Sequence, residues 1–398
     1  MISSGLGAIL EGRSLATPTG RIVRALSERG SLSAVQLCRV TGLAKSTVSA
    51  TLAELRKSGM VIEADGGQTE KSVGRPATAL TLNPQAGTCI GIQLGLGKVQ
   101  VVVADVSHAI ISEAIIDMEL DYSPADAVAA VRHAASNIYA ANSLSISGLL
   151  GLGLAFSGPV NPTTGRVMRA SILPTWEGVS LGGVFGPVFE RPVFADNESN
   201  CAALAEMMWG AAQGVEDFML FKIDLGVGGA IVNRGRVMTG AAGGAGEFGH
   251  MTIDPAGPLC RCGNRGCLEL YASFVEPLRH ATKRFGRAMT MDDVIARALQ
   301  GDVGCRRLIE DTAATAGRGL GMLGTIINPG LIVVGGRMAL AGDLLLNPLR
   351  AAFERHTLIK KGDVSPGAET RIIPGQFTAN DGCLGAVGLV LRSQGRLG

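Results

Sequence analysis

One motif occurs twice in this chain, and it constrains the fold more than any other feature. Residues 88–108 read TCIGIQLGLGKVQVVVADVSH and residues 218–240 read FMLFKIDLGVGGAIVNRGRVMTG. Each is an apolar run, a glycine-rich turn and a second run, the pattern of two antiparallel strands. Turns of this kind let backbone N–H groups approach a ligand closely, as phosphate-binding loops do. Two such hairpins in separate halves predict a duplicated lobe that closes over a cleft. DAVAAVRHAASNIYAAN (126–142) reads as an amphipathic helix, and GLLGLGLAFSGPVNPTTG (148–165) as a buried strand, a glycine loop and a turn. GLIVVGGRM (330–338) is another apolar strand ending in glycines. Strands alternating with helices place the body in the α/β class.

A chain of 398 residues, 46% hydrophobic and 18% charged, can bury a large core and fold as two or three domains. Its 56 glycines have no collagen period, so they mark turns. The net charge of +2 identifies no partner, but it is unevenly spread: residues 1–82 carry +4 and the remainder −2. A basic front end suits a DNA-binding head, although chance asymmetry gives the same numbers. MISSGLGAILEGRSLATPTG lacks the basic start and long apolar core of a signal peptide, and no run approaches the ~18 apolar residues of a membrane span. Three of the eight cysteines crowd into Cys260–Cys267, a density that suits metal better than disulfides in a chain without an export signal. These features predict a cytoplasmic protein with no membrane partner.

The front end reads as a winged helix-turn-helix. RIVRALSERG (21–30) puts Ile22, Val23 and Leu26 on one face, and SAVQLCRVTGL (33–43) carries apolar Val35, Leu37 and Val40. KSTVSATLAELRKSGMV (45–61) has an inward stripe at Val48, Leu52 and Leu55. Thr41-Gly42-Leu43-Ala44 is the short glycine turn a helix-turn-helix needs. Lys45, Ser46, Thr47, Ser49 and Ala50 open the third helix, small and polar off the stripe as a major groove requires. A three-helix bundle with a solvated face is the alternative. MVIEADGG (60–67) and a strand at Ala79–Leu82 then make a wing, tipped by Gly74-Arg75-Pro76, with Arg75 suited to a narrow minor groove. The expected layout is an arm over 1–20, the DNA-binding domain over 21–82 and a linker over 83–87. A small lobe over 88–195 plus 380–398 and a large lobe over 196–379 follow.

Ordered motifs now give the body a family resemblance. GEFGHM (246–251), CRCGNRGCLE (260–269), DNESNCAALAE (196–206), NPGLIVVGG (328–336) and DGCLGAVG (381–388) occur in the order found in the ROK family of repressors, open reading frames and kinases. The chain resembles that family from about residue 88 to residue 398, and with its winged helix it resembles the repressor branch. The resemblance implies a two-lobed body of the actin and hexokinase type, that is, ribonuclease H-like.

His250, Cys260, Cys262 and Cys267 form a Cys₃His set suited to tetrahedral, structural Zn2+ with no open position. Three unrelated thiols and a satisfied histidine are the alternative. The resemblance makes this loop a wall of a sugar site, with Glu247, His250 and Glu269 bonding sugar hydroxyls and Gly158, Asn197 and Glu198 as further contacts. Solvated surface is the bland reading of either glutamate. Ile172 stands where many relatives place an Asn, and the expectation is a sugar different from theirs.

The same comparison predicts lost catalysis. Kinase members carry Asp-x-Gly-Gly-Thr in the first hairpin, where this chain has Gln93-Leu94-Gly95-Leu96-Gly97. Their second hairpin has Gly-Thr-Gly, where this chain has Asp224-Leu225-Gly226, read here as a buried leucine and an added carboxylate. Glu198 takes the place of the catalytic Asp. Phosphoryl transfer needs positioning and neutralised phosphate charge, and these changes oppose both. The resulting expectation is a non-enzymatic, sugar-responsive DNA-binding repressor of carbohydrate uptake or catabolism genes. Its partners would be operator DNA and a sugar or sugar phosphate, and it would form a homodimer or dimer of dimers. The alternatives are a sugar kinase with a DNA-binding head and a scaffold for a sugar-uptake protein. NCAALAEMMWG (200–210) and TAATAGRGLGMLGTIIN (312–328) carry small and apolar residues suited either to a dimer interface or to core packing.

Overall fold

The computed structural model describes residues 17–64 and 78–393. Arg75 and the wing tip lie outside the described residues. Contacts divide the chain into two compact units, one formed by the chain up to Cys201 with the segment from Gly382, the other by Ala202–Asp381.

The head begins with α1 (Pro18–Arg29), whose Thr17 cap accepts the Gly20 N–H and whose first residue is proline. Strand β1 (Leu32–Ser33) leads into α2 (Ala34–Thr41), opened by a reciprocal Ser33–Gln36 capping box and ended by Gly42 in the left-handed conformation, φ 66°. Helix α3 (Lys45–Lys57) buries Val48, Leu52 and Leu55, and Ile22, Leu26 and Leu37 are buried with them. The apolar pattern of α2 misleads in one respect. A helix of two turns has room for one inward row, and Leu37 and Thr41 take it, so Val35 is 53% exposed and Val40 also faces water. β2 (Val61–Glu63) and β3 (Ala79–Leu82) pair antiparallel, with β1 on the other edge of β3. Asn83 ties the following segment to the head through the Gly59 and Met60 carbonyls.

The rest of the first unit is a five-stranded sheet. β4 (Thr88–Gly95), β5 (Lys98–Asp105) and β6 (Ile110–Asp117) run antiparallel. After α4 (Pro124–Ala141), β7 (Leu149–Phe156) joins β4 in parallel. After α5 (Leu181–Phe189), β8 (Val193–Asn197) joins β7 in parallel. The order is β6-β5-β4-β7-β8. The core includes Ile92, Leu94, Val101, Leu154, Phe156, Trp176 and Phe185.

The second unit repeats this topology. Helix α6 (Glu198–Trp209) leads into it, and β9 (Phe218–Ile223), β10 (Val227–Asn233) and β11 (Arg236–Val237) are antiparallel. The short α7 (Glu269–Ala272), α8 (Val275–Phe285), α9 (Met291–Leu299) and α10 (Val303–Ile327) follow. β12 (Leu331–Gly335) adds to β9 in parallel, α11 (Asp343–His356) crosses over, and β13 (Arg371–Pro374) adds to β12 in parallel. The order β11-β10-β9-β12-β13 matches the first sheet strand for strand. The small residues of α10 serve the core. A β-carbon on Gly317 would sit 2.3 Å from the Leu349 carbonyl oxygen of α11, and β-carbons on Gly321 and Gly324 would lie 2.8 Å from His356 and 2.6 Å from Phe353. Residues 200–210 are likewise mostly buried.

In the first unit the C-terminal helix, Asp381–Ser393, is pressed against the sheet. A β-carbon on Gly153 would lie 1.9 Å from the Ala386 carbonyl oxygen, and one on Gly385 would lie 1.7 Å from that of Cys201. Gly153→Ala is therefore expected to cost about 1–3 kcal/mol or more, read from the urea unfolding midpoint. Gly148→Ala, with nothing within 4 Å of the new carbon, is the control and should change stability by less than about 0.5 kcal/mol. Equal losses in the two variants would refute the close-packing argument.

Candidate functional site

In the second unit the segment from Gly246 to Glu269 folds with little regular structure around four side chains. The ligand atoms of His250, Cys260, Cys262 and Cys267 all lie within 4.8 Å of one another. Cys262 Sγ is 3.7 Å from Cys267 Sγ, and Cys260 Sγ is 3.7 Å from His250 Nδ1. Sulfurs at about 2.3 Å from a tetrahedral zinc stand about 3.8 Å apart, so the spacing fits that ion. The backbone makes the spacing possible. Gly263 and Gly266 have φ of 95° and 59°, and a β-carbon on Gly266 would fall 1.6 Å from the Asp254 carbonyl oxygen. Burial and the adjacent thiols push the Cys267 thiol up to about 12, and a cation is what lets such a cluster ionise together. Burial holds the His250 imidazole below its ordinary range, opposed by Glu269, and a neutral ring is the coordinating form.

The carboxylates beside the cluster are placed differently from one another. Glu247 Oε2 lies 4.0 Å from His250 Nε2, on the ring nitrogen away from Cys260. Carboxylates in that position orient a metal-bound histidine. Glu269 is buried; its Oε2 accepts the Val227 N–H at 3.1 Å and its Oε1 pairs with Arg261 at 2.7 Å.

Glu198 sits at the start of α6 in the first unit. Its Oε2 accepts from Gln93 Nε2 at 3.2 Å and from the Ser157 hydroxyl. An amide facing a carboxylate donates to it and needs no cation, whereas two facing acids repel unless a cation joins them. Asn197 is committed to the protein: its Oδ1 accepts the Ser199 N–H at 2.7 Å and its Nδ2 donates to the Gly158 carbonyl at 3.0 Å. Ile172 packs against the first unit's core.

The second glycine hairpin is closed by its own side chain. Asp224 Oδ1 accepts the Leu225 N–H at 2.9 Å and its Oδ2 accepts the Arg337 N–H at 3.2 Å. The Arg337 guanidinium is in turn held by both oxygens of Asp292. Leu225 is 47% exposed at the hairpin tip, contrary to the buried leucine read from the sequence, because the turn carries it past the sheet.

The head presents Lys45, Ser46, Ser49 and Ala50 to solvent, with Thr47 half-buried. The Ala44 cap supplies no side-chain bond, so the first N–H groups of α3 stay available to an acceptor such as phosphate.

Sequence reasoning missed three groups. The Gln93–Glu198 bond joins residues whose changes looked like separate losses. Arg261 occupies a motif position where any residue fits. Lys222 is buried and pairs with buried Asp381 at 2.9 Å; its signal was a lone charge inside the apolar run FMLFKI.

The ROK family pattern matches residues 89–393, and that of bacterial regulatory proteins of the arsR family matches residues 21–63. The xylose repressor of Bacillus subtilis is 27% identical over 370 residues, spanning 93% of this chain and 94% of that protein. A glucokinase of Halalkalibacterium halodurans is 35% identical over 243 residues, spanning 57% of this chain and 72% of that protein. A solved ROK family transcriptional regulator, a homologue of the Escherichia coli MLC protein, shares the fold with a TM-score of 0.74 at 24% identity, over 95% of this chain and 97% of that one.

The Gln93–Glu198 bond generates a prediction. Gln93→Glu replaces the donor by a second acid and should cost about 1–3 kcal/mol at neutral pH. The cost should shrink towards pH 5, because a shared proton relieves the repulsion and the raised carboxyl pKa makes stability fall as pH rises. Denaturant unfolding at both pH values checks this, and a pH-independent loss would reject the pairing.

Proposed function

The chain belongs to the ROK family and carries a helix-turn-helix head, and we propose that it is a sugar-responsive DNA-binding repressor of carbohydrate uptake or catabolism genes. The observation that carries this reading is the continuous similarity to a xylose repressor through head and body alike. Glu247, His250 and Glu269 read sugar hydroxyls, as fixed polar groups in a site do. Gly158, Asn197 and Glu198 are further candidate sugar residues, proposed from the family resemblance. The ligand class is a sugar or sugar phosphate.

The Cys₃His set fits Zn2+, which when bound would hold the loop together as a closed four-ligand site. His250 would ligate through Nδ1, leaving Nε2, 4.0 Å from Glu247 Oε2, to meet a sugar hydroxyl. Similarity to a glucokinase favours a kinase as the second reading. Against it stand the amide at Gln93 and the hydrogen bonds by which Asp224 takes the Leu225 N–H of the second hairpin and the Arg337 N–H beside it. We therefore propose no catalytic role.

Operator binding falls to Lys45, Ser46, Thr47, Ser49 and Ala50 on α3, together with Arg75. A homodimer would set two heads on half-sites about one helical turn apart, or a multiple of it. The sugar alters DNA affinity only by favouring one arrangement of the chain over another.

Two outcomes are expected. In fluorescence titrations with operator DNA, Lys45→Ala should weaken binding to every sequence, with a salt slope shallower by about 0.9. Ser46→Ala or Ser49→Ala should shift preference among sequences by about 1–3 kcal/mol. Glu247→Ala should bind DNA as wild type does but lose the response to sugar. A normal sugar response in Glu247→Ala would reject the sensor assignment, and ATP-dependent phosphorylation of the same sugar would restore the kinase reading.

The second outcome concerns metal: purified protein should hold about one zinc per chain. Cys262→Ser should lose both the zinc and the sugar-induced rise in melting temperature, as read by metal analysis and thermal shift. Full zinc content in that variant would contradict the ligand set.

A further inference from the structure

Arg261 stands between Cys260 and Cys262, so its backbone is fixed by the cluster on both sides. The turn is pinned further by the Cys260 N–H to the Asn264 carbonyl and the Gly263 N–H to the Cys260 carbonyl. From this anchored position the guanidinium reaches Glu269 Oε1 at 2.7 Å. The other carboxylate oxygen receives the Val227 N–H, at the start of β10 and the foot of the second glycine hairpin. The hairpin backbone lies hard against this pair: a β-carbon on Gly226 would be 2.7 Å from Glu269 Oε2 and 3.4 Å from Arg261 Nη2.

A carboxylate as buried as Glu269 keeps its charge and its pose only if a cation and donors hold it. Arg261 supplies the cation, and a guanidinium is suited to fixing the plane of a carboxylate. Each carboxylate oxygen has a second lone pair, so a Glu269 held at both oxygens can still accept from a ligand hydroxyl.

We propose that Arg261 is a positioning residue for ligand recognition, holding Glu269 so that it caps the second hairpin at Val227 and accepts sugar hydroxyls in one fixed pose. The metal loop and the hairpin are then joined through one ion pair, and loosening the loop releases the carboxylate. The proposal rests on the reading of Glu269 as a sugar contact.

Its test uses zinc-loaded full-length protein. Amide hydrogen exchange at Val227 reports the Glu269 bond directly and needs no ligand. Arg261→Ala is expected to keep its zinc and to exchange the Val227 amide about tenfold faster, with partial protection restored by Arg261→Lys. Arg261→Gln is measured beside it, so that a folding failure of the alanine variant leaves the question decidable. D-xylose, D-glucose and N-acetylglucosamine are then titrated by thermal shift. The sugar that stabilises wild type should bind Arg261→Ala about tenfold more weakly, and Arg261→Ala should add nothing further in a Glu269→Gln background. Wild-type exchange at Val227 in the zinc-loaded variants overturns the proposal whatever the sugars do. Faster exchange with unchanged sugar affinity also overturns it, since Arg261 would then hold only the hairpin. If exchange responds but no sugar of the panel stabilises wild type, it is the sugar reading that fails, and the ligand role of Arg261 falls with it.

Discussion

Direct contact between backbones, with no β-carbon in between, organises each unit. In the first, Gly91 and Gly153 on neighbouring strands let the C-terminal helix settle onto the sheet, where Cys383 and Ala386 carbonyls occupy the space side chains would fill. Gly385 does the same from the helix side against Cys201. Each glycine costs about 0.5–1 kcal/mol of chain entropy, and close packing offsets it. The depth of this contact also fixes the polar groups. Gln93 shares the Gly91 face of β4, two residues on, and its amide lies against Gly382, where a β-carbon would sit 2.4 Å away. Glu198 starts the helix that ends its first turn at Cys201. The Gln93–Glu198 bond is thus a product of how closely the helix approaches the sheet.

Charges and polar groups in both units are answered largely from within the chain. Glu198 is met by an amide and a hydroxyl, Asp224 by two backbone N–H groups, and Glu206 by the Ala211 and Phe377 N–H groups, even though burial raises its pKa. A phosphate-binding loop works by leaving such donors open to a ligand. Here Asp224 takes the Leu225 N–H and Glu269 the Val227 N–H of the second hairpin, while the loop from Gly246 to Glu269 gathers three thiols and an imidazole at a spacing that suits a cation.

Much of this was legible in the sequence, for identifiable reasons. The hairpins announced themselves because both faces of their strands are buried, giving unbroken apolar runs next to glycine turns. Three cluster ligands lie within eight residues, so spacing alone suggested a metal, and family resemblance supplied His250. The helices of the head followed from a 3.6-residue period, except where α2 was too short for its valines to find an interior. What stayed hidden was pairing across distance. Gln93 and Glu198 are 105 residues apart, and each alone read as a separate departure from the kinase pattern, the one losing an acid and the other lengthening it. Arg261 hid inside a motif whose cysteines drew the attention, and Asp224 was read as an obstacle to phosphate rather than as an acceptor for particular N–H groups.

The buried pair of Lys222 and Asp381 bears on how this chain can change over generations. Removing either partner leaves a bare charge in the interior, at about 3–5 kcal/mol, a large share of the stability of an ordinary domain. An apolar pair of similar volume would be tolerated, but no single substitution reaches it without passing through the unpaired state. Descendants of this protein therefore inherit the two residues as one unit: either both persist, or both are replaced in lineages stable enough to survive the intermediate. Positions far apart in the sequence of the second unit thus share one fate.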